Sequence, residues 1–344
     1  MAASLRPGDV RVTGISPPRR NPTLSYPGAV DSVTLDAVDR GLLHALQVDG
    51  RAPFSRIAEV LDVADRTVAR RFARLRAHGL ARVTGVPDSG RIGYAEWFLR
   101  IRVRPGGVVA VAGDLARRPD TAWVIVLSGG SEVTAILRVD GEQPPSVASL
   151  SRAPQVVSLD TQRLLRHLTD RQWPGRTSAL TPDQILALST PRSEESGRIA
   201  LTDLDRRLLP ALARDGRTDY QHLARGLGWS DSAVRRRLEE LRRNRVLRFD
   251  VEVDAAVLGY PVQAALWLDV SPAHLLAVGR ALAAHPEIAH ACATTGAHSI
   301  VAVAVCRDSE GLFGYLTERI GAIDGVRHVE TAPITSIVKR AAPL

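Results

Sequence analysis

Leu35-Asp36-Ala37-Val38-Asp39-Arg40-Gly41-Leu42-Leu43-His44-Ala45-Leu46-Gln47-Val48-Asp49-Gly50-Arg51 returns 166 residues later as Leu201-Thr202-Asp203-Leu204-Asp205-Arg206-Arg207-Leu208-Leu209-Pro210-Ala211-Leu212-Ala213-Arg214-Asp215-Gly216-Arg217. The correspondence runs without a gap from Leu35–Arg82 to Leu201–Arg248, with 19 of 48 positions identical, and Gly93-Tyr94 falls opposite Gly259-Tyr260 at the same separation. A period this long is not the few dozen residues of a solenoid unit. It marks a duplicated two-domain protomer, so the function must suit two similar sites held in one chain.

Each repeat reads as three helices. Val38, Leu42, Leu43 and Leu46 make one apolar stripe at helical spacing. Asp49-Gly50-Arg51 is expected to stop that helix, with Gly50 supplying a left-handed cap. Phe54, Ile57, Ala58 and Leu61 mark a second helix, and Asp62-Val63-Ala64 turns into a third. There Val68, Phe72 and Leu75 face inward. Copy two repeats the pattern with Leu204, Leu208, Leu209 and Leu212, then Tyr220, Leu223 and Leu227, then Val234, Leu238 and Leu241. Pro210 removes one backbone donor inside the first helix of copy two. Ser230 caps the third helix there, and Asp65 is the expected substitute beside Ala64 in copy one.

Downstream of each repeat the period changes to two. Copy two gives strand Ala264–Val270, helix Pro272–Ala284, strand Ile288–Thr294, strand Ser299–Cys306, helix Ser309–Ile320 and strand Val326–Ile334. This is a ferredoxin-like βαββαβ unit. Copy one gives Trp97–Val103, Val108–Arg117, Ala122–Leu127, Val133–Val139, a short helix near Pro145–Ser151, and Val156–Thr161. The expected fold class is α+β: two winged-helix-like helix-turn-helix domains, each followed by a ferredoxin-like βαββαβ domain. The expected division is a flexible tail over residues 1–32, helix-turn-helix domains over 33–86 and 200–253, ferredoxin-like domains over 92–168 and 258–338, and a linker over 169–199, in which Thr181–Leu188 reads as a short helix. Leu266, Leu268 and Val270 alternate with Ala265, Trp267 and Asp269, so both faces of that strand carry apolar groups. One face is covered by the unit's own helices and the other needs a partner. The expectation is an intrachain pseudo-dimer of the two units, with further association into a homo-oligomer.

The 344 residues carry a formal net charge of +8, and every basic residue except Lys339 is arginine. That balance favours a polyanionic partner. Cys292 and Cys306 are the only cysteines, which excludes a disulfide scaffold and fits a reducing cytosol. No apolar stretch reaches the roughly 20 residues of a membrane span, so a cytoplasmic protein without a membrane partner is expected. His290 and Cys292 share a strand face without clean metal spacing, and no phosphate loop, nucleotide fingerprint or hydrolase elbow is present. No cofactor, metal or catalytic residue is expected.

A tight turn before an arginine-rich third helix suits the major groove of double-stranded DNA. Arg66, Thr67 and Arg70, with Ser232, Arg235 and Arg236 in copy two, occupy the positions expected to read bases. Arg71, Arg74, Arg237 and Arg242 are expected at phosphates. From Leu201 to Arg248 twelve arginines face seven acids, against nine and six from Leu35 to Arg82. On charge alone the second head is expected to bind the more tightly.

Leu35-Asp36-x-x-Asp39-Arg40-x-Leu42-Leu43 and its twin resemble the opening helix of the Lrp/AsnC (feast/famine) transcriptional regulators. Val68-x-x-Arg71-Phe72-x-x-Leu75 and Val234-x-x-Arg237-Leu238-Glu239-Glu240-Leu241 resemble that family's recognition helix, and Gly259-Tyr260 ahead of a βαββαβ unit resembles its effector domain. The resemblance implies a sequence-specific DNA-binding regulator that answers to a small-molecule effector, an amino acid above all. It implies a ligand site around the turn between the second and third strands. In this chain that places Gly129, Gly130 and Glu132 in copy one, and Thr295, Gly296, His298 and Ser299 in copy two. The alternative is an enzyme. Siroheme decarboxylases resemble the same regulators and also occur as paired copies, but carry histidine, tyrosine and arginine along the effector-domain strands. Ala122–Leu127 and Ile288–Thr294 offer Trp123 and His290 and neither tyrosine nor arginine.

Overall fold

The structure is a computed structural model that describes residues 35–169, 179–189 and 199–340. The tail expected over residues 1–32 lies outside them. The first head comprises α1 (Ala37–Val48), α2 (Phe54–Leu61), α3 (Asp65–Ala77) and a strand, β1 (Ala81–Pro87). Its effector unit follows as β2 (Tyr94–Val103), α4 (Val108–Arg117), β3 (Thr121–Leu127), β4 (Glu132–Asp140), α5 (Ala148–Ser151) and β5 (Val156–His167). After α6 (Pro182–Leu188) the second head repeats the order as α7 (Asp203–Arg214), α8 (Tyr220–Leu227), α9 (Asp231–Arg243) and β6 (Leu247–Val253). The second effector unit is β7 (Val262–Val270), α10 (Leu275–Ala284), β8 (Ile288–Thr294), β9 (Ile300–Cys306), α11 (Ser309–Gly314), continued as a π-helical turn, and β10 (Val326–Lys339).

The heads are joined through β1 and β6, which sequence reading did not anticipate. They pair antiparallel, and Thr84 stands opposite Asp250, its own counterpart 166 residues away. The pseudo-two-fold axis therefore passes through this pair. Both repeated glycines press on it. A Cβ at Gly50 would fall 2.8 Å from Phe249 Cβ, and one at Gly216 2.9 Å from Phe249 Cδ1. Gly50 is not left-handed, and Asp49 ends α1 in an extended conformation. The expected left-handed cap is thus corrected: glycine is needed here for close approach of a backbone.

The arginines of the same motif exchange places across the axis. Arg51 donates to Gly216 O at 2.7 Å and Thr218 O at 3.0 Å, while Arg217 donates to Gly50 O at 2.8 Å and Ala52 O at 3.0 Å. Two further ties are reciprocal: Arg76 with Asp215 at 2.8 Å and Arg242 with Asp49 at 2.7 Å. Burial, and then the nearby Arg51, push the Arg217 guanidinium down to about 10, while its face rests on Phe54, 4.2 Å from the ring centroid. Arg217→Ala is expected to cost about 2–4 kcal/mol, because two inter-head carbonyls lose a charged donor. Arg217→Lys should recover little of it, since one ammonium cannot fork between two carbonyls. Urea denaturation of the two variants beside wild type measures both effects.

The effector units close into one barrel of order β10-β3-β4-β2-β5-β8-β9-β7. Within each half the ladder is that of a βαββαβ unit. The fourth strands run further than expected, and their extra residues form the joints: Leu164–His167 of β5 pair with β8, and Ile334–Lys339 of β10 pair with β3. Leu99, Ile101, Val124 and Leu137 pack against α4 on the outside, and Leu266, Leu268, Ile300 and Ala302 pack under α10 and α11. The inner faces meet in a shared cluster of Phe98, Leu127, Leu164, Trp267, Cys292 and Val301. The face of β7 that needed a partner finds it in the other copy. Cys292 stands opposite Val301 rather than Cys306, and the two cysteines form no disulfide.

The linker helix α6 is docked on the first head. Leu188 is fully buried there, Gln184 Nε2 donates to Val60 O at 2.7 Å, and the buried His44 Nδ1 accepts from the backbone of Ala179 and Leu180. The counterpart of His44 is Pro210, and α7 runs through it from Asp203 to Arg214.

Candidate DNA interface and effector region

The recognition helices α3 and α9 are held by acids on the first helix of each head. Asp205 is wholly buried. It closes the capping box of α7 by accepting from the Thr202 backbone at 2.7 Å, and it accepts from Arg237 Nε at 2.9 Å and Nη2 at 2.6 Å. Burial alone would raise the Asp205 carboxyl; the Arg237 guanidinium and Thr202 outweigh it and hold the group below the usual carboxylate range. In the first head, Asp39 accepts from Arg71 at 3.1 Å and Arg74 at 2.6 Å. Arg71, Arg74, Arg237 and Arg242, expected at DNA phosphates, are therefore tied to Asp39, Asp205 and Asp49 and position the helices.

Four of the expected base-reading side chains are arginines, Arg66, Arg70, Arg235 and Arg236, and all four are exposed. Arg66, Arg70 and Arg236 have no ion-pair partner among the described residues, whereas Arg235 reaches Asp231 at 3.3 Å and stacks 4.8 Å over Tyr220. Ser232 is exposed and Thr67 half-buried. Ser230 Oγ accepts from Ala233 N at 3.2 Å and caps α9. Nothing caps α3 at Ala64, so Asp65 does not act as the expected substitute. The C-terminal ends of both recognition helices are fixed to the opposite head through Arg76 and Arg242, so the protein itself sets their separation.

The two effector turns also meet the opposite copy. Gly129 and Gly130 are left-handed, at φ +67° and +100°, and Gly129 N donates to Thr335 Oγ1 at 2.9 Å. Thr295 Oγ1 accepts from Arg163 N at 2.9 Å and Gly296 is left-handed against Gln162, whereas Ser299 Oγ donates within its own copy to Val270 O at 3.0 Å. Glu132 and His298, assigned to separate turns, fall in one cluster. Arg100 donates to Glu132 through Nε at 3.0 Å and to Glu330 through Nη1 at 2.8 Å and Nη2 at 2.5 Å. His298 Nε2 lies 3.5 Å from Glu330, and Arg102 reaches Glu132 at 3.3 Å. Hydrogen bonds from Arg100, against the opposing effect of burial, keep the Glu330 carboxyl low.

Sequence reasoning missed a second buried cluster in the barrel. Glu96 accepts from Ser89 Oγ at 2.6 Å and Arg138 Nε at 3.3 Å, and its other oxygen lies 2.8 Å from His167 Nε2. His167 in turn stands 5.3 Å, ring to ring, from His290. The available signal was the even-numbered face of β2, on which Glu96, Arg100 and Arg102 share a side with Phe98 at alternate positions.

Comparison with known proteins follows this architecture. The model of the AsnC-type helix-turn-helix domain matches residues 35–76 and 201–242, and that of the Lrp/AsnC ligand binding domain matches 263–344. An HTH-type transcriptional regulator of Pyrococcus abyssi is 34% identical over 149 residues, covering 43% of this chain and 94% of that protein. The HTH-type transcriptional regulator LrpA of Pyrococcus horikoshii is 30% identical over 140 residues, covering 40% of this chain and 99% of that protein. Each relative thus corresponds to one copy. The crystal structure of the siroheme decarboxylase NirDL superposes along the whole duplication, with a TM-score of 0.60 over 90% of this chain and 94% of that one, at 16% identity. That likeness is one of fold. The chain belongs to the Lrp/AsnC family, with two protomers of that family fused in one polypeptide.

Proposed function

We propose that the protein is a DNA-binding transcriptional regulator whose two heads contact successive half-sites on one face of a duplex, in the cytoplasm. The observation that carries this reading is the placement of Arg66, Arg70 and Arg236, exposed and without ion-pair partners among the described residues, on helices whose other arginines hold them in place. Two-fold-related heads require half-sites about 34–36 Å apart or a multiple of that. Because the heads differ in sequence, the operator is an imperfect palindrome. Footprinting on the protein's own upstream region tests this: two protected blocks at that spacing support it, and uniform or absent protection contradicts it.

The pairing of the exposed arginines bears on the ranking of the heads expected from charge. In the second head Arg235 is engaged by Asp231 and by the Tyr220 ring, whereas Arg66 and Arg70 of the first have no ion-pair partner among the described residues. Arg66→Ala with Arg70→Ala is therefore expected to weaken binding at least as much as Arg235→Ala with Arg236→Ala, at about 1–3 kcal/mol for each base-reading arginine. Titration of both double variants on one operator at fixed salt decides it.

The barrel units serve as the effector-sensing part, with an amino acid or similar small molecule at the turns around Gly129, Gly130, Glu132, Thr295, Gly296, His298 and Ser299. An effector ammonium that used Glu132 would have to displace Arg102, the more exposed of its two arginine partners. Chains associate further through exposed Val109, Leu276 and Phe313 on the outer helices. One observation favours an enzymatic reading as well: the first copy lines the barrel with Arg100, Arg138, Glu96 and His167, proton- and carboxylate-handling groups to which β8 adds His290 beside His167. Incubation with siroheme, followed by mass spectrometry for loss of carbon dioxide, separates the two readings.

A further inference from the structure

The two heads clasp each other with the same residues and face outward with different ones. The reciprocal ties across the pseudo-two-fold axis join positions 166 apart that are identical: Asp49 and Asp215, Arg51 and Arg217, Arg76 and Arg242. The brace behind each recognition helix is also the same, Asp39 with Arg71 and Asp205 with Arg237. The outward side of the first turns does not match. Helix α3 carries Arg66 and Thr67 where α9 carries Ser232 and Ala233, and Ala69 stands where α9 has Arg235. Of the four exposed arginines on these turns, Arg70 and Arg236 alone correspond.

An arginine at a guanine edge makes two hydrogen bonds, to O6 and N7, whereas a serine hydroxyl suits several base edges and selects less. Arg66 and Arg70, four residues apart, lie on one face of α3, and neither has an ion-pair partner among the described residues. In α9, Arg236 is in the same condition, but Arg235 is engaged by Asp231 and the Tyr220 ring. The first head therefore offers two arginines to base edges and the second offers one. A dimer of identical chains presents identical heads and reads a palindrome. Here fusion and the clasp place one head of each kind in every pair. We propose that the operator is polar: its half-sites share one guanine, read by Arg70 in one half and Arg236 in the other, and only the first half carries a second guanine, read by Arg66.

The chain then lies on its operator in a single orientation. What it carries once, such as α6 docked on the first head, falls on a fixed side of the site. Polarity is a property of the heads alone, because the residues that set the spacing are the same in both. This deepens the DNA-binding half of the proposed function and rests on that half.

The test uses the full chain to select duplexes from a pool randomised over about four helical turns, with bound sequences aligned in either orientation. The expected result is two unlike half-sites that share one guanine, with a second guanine enriched in one half only. Ser232→Arg with Ala233→Thr gives α9 the first turn of α3 and should select a palindrome with the second guanine in both halves. Arg66→Ser with Thr67→Ala is the converse exchange. It should lose the second guanine from the selected sequence and bind the wild-type operator about tenfold or more weakly. Each exchange copies what the other head already holds at that position, and either one suffices should the other not fold. A strict palindrome from the wild type overturns the proposal while leaving a DNA-binding regulator. So does a folded variant that selects what the wild type selects. No enriched sequence at all removes the regulator reading and the polarity with it.

Discussion

Arg237→Ala is expected to destabilise the second head by about 3–5 kcal/mol, the cost of stripping the partner from a buried carboxylate. Arg237 is the one cation paired with Asp205 among the described residues, and Asp205 also holds the first turn of α7. Arg236→Ala, one residue earlier on the same helix, removes an exposed side chain and should leave the denaturation midpoint within about 0.5 kcal/mol of wild type. The pH dependence follows from Asp205. Its folded carboxyl sits below the unfolded value, so its stabilisation is present above about pH 4 and is lost as the pH falls through the folded value. In Arg237→Ala the carboxyl is buried without its guanidinium and rises instead, so the deficit against wild type should shrink in acid. Denaturation of the three proteins at neutral and acid pH reads both effects.

Arg100→Leu should be comparably damaging to the barrel, at about 3–5 kcal/mol. Its guanidinium bridges Glu132 of one copy and Glu330 of the other, and without it two carboxylates face each other inside a joint. The sign with pH is again fixed. Arg100 holds Glu330 low in the wild type, so wild-type barrel stability weakens as pH falls through that lowered value, whereas the variant, with repelling carboxylates, should regain stability there. Replacing Arg100, Glu132 and Glu330 together by leucine should cost much less than the single change, because the charge left without its partner, Arg102, is exposed to solvent. Urea denaturation of the single and triple variants separates a structural ion cluster from one that fine-tunes a rigid scaffold.

The repeat, the helices of both heads and both βαββαβ units were legible because each rests on local spacing. Leu42, Leu43 and Leu46 write a helical stripe, and Leu266, Leu268 and Val270 write a strand. What stayed hidden was every feature made by one copy against the other. Gly50 reads locally as a helix stop, and its real constraint, Phe249, lies in the other head. The ends of β5 and β10 carry too little pattern to extend the strands, since they complete a sheet that belongs to the opposite copy. The candidate site suffered the same way. A sequence counts arginines on a recognition helix but does not say that Asp39 and Asp205 claim Arg71, Arg74 and Arg237. Polar residues on the even face of β2 read as solvent-facing until a second sheet is laid over them.

Exposed arginines on paired recognition helices should hold duplex DNA through its base edges and its phosphates together, and the most direct measurement of that is affinity against salt. The wild-type chain is titrated on its own upstream region between about 50 and 200 mM salt, beside a variant with Arg66, Arg70, Arg235 and Arg236 all changed to alanine. The expected result is a steep linear fall of log affinity with log salt for the wild type, through counterion release. The variant should bind more weakly with a shallower slope, reduced by about 0.9 for each phosphate no longer neutralised, and should have an unchanged denaturation midpoint. Wild-type binding that ignores salt, or a folded quadruple variant that binds as the wild type does, would contradict it.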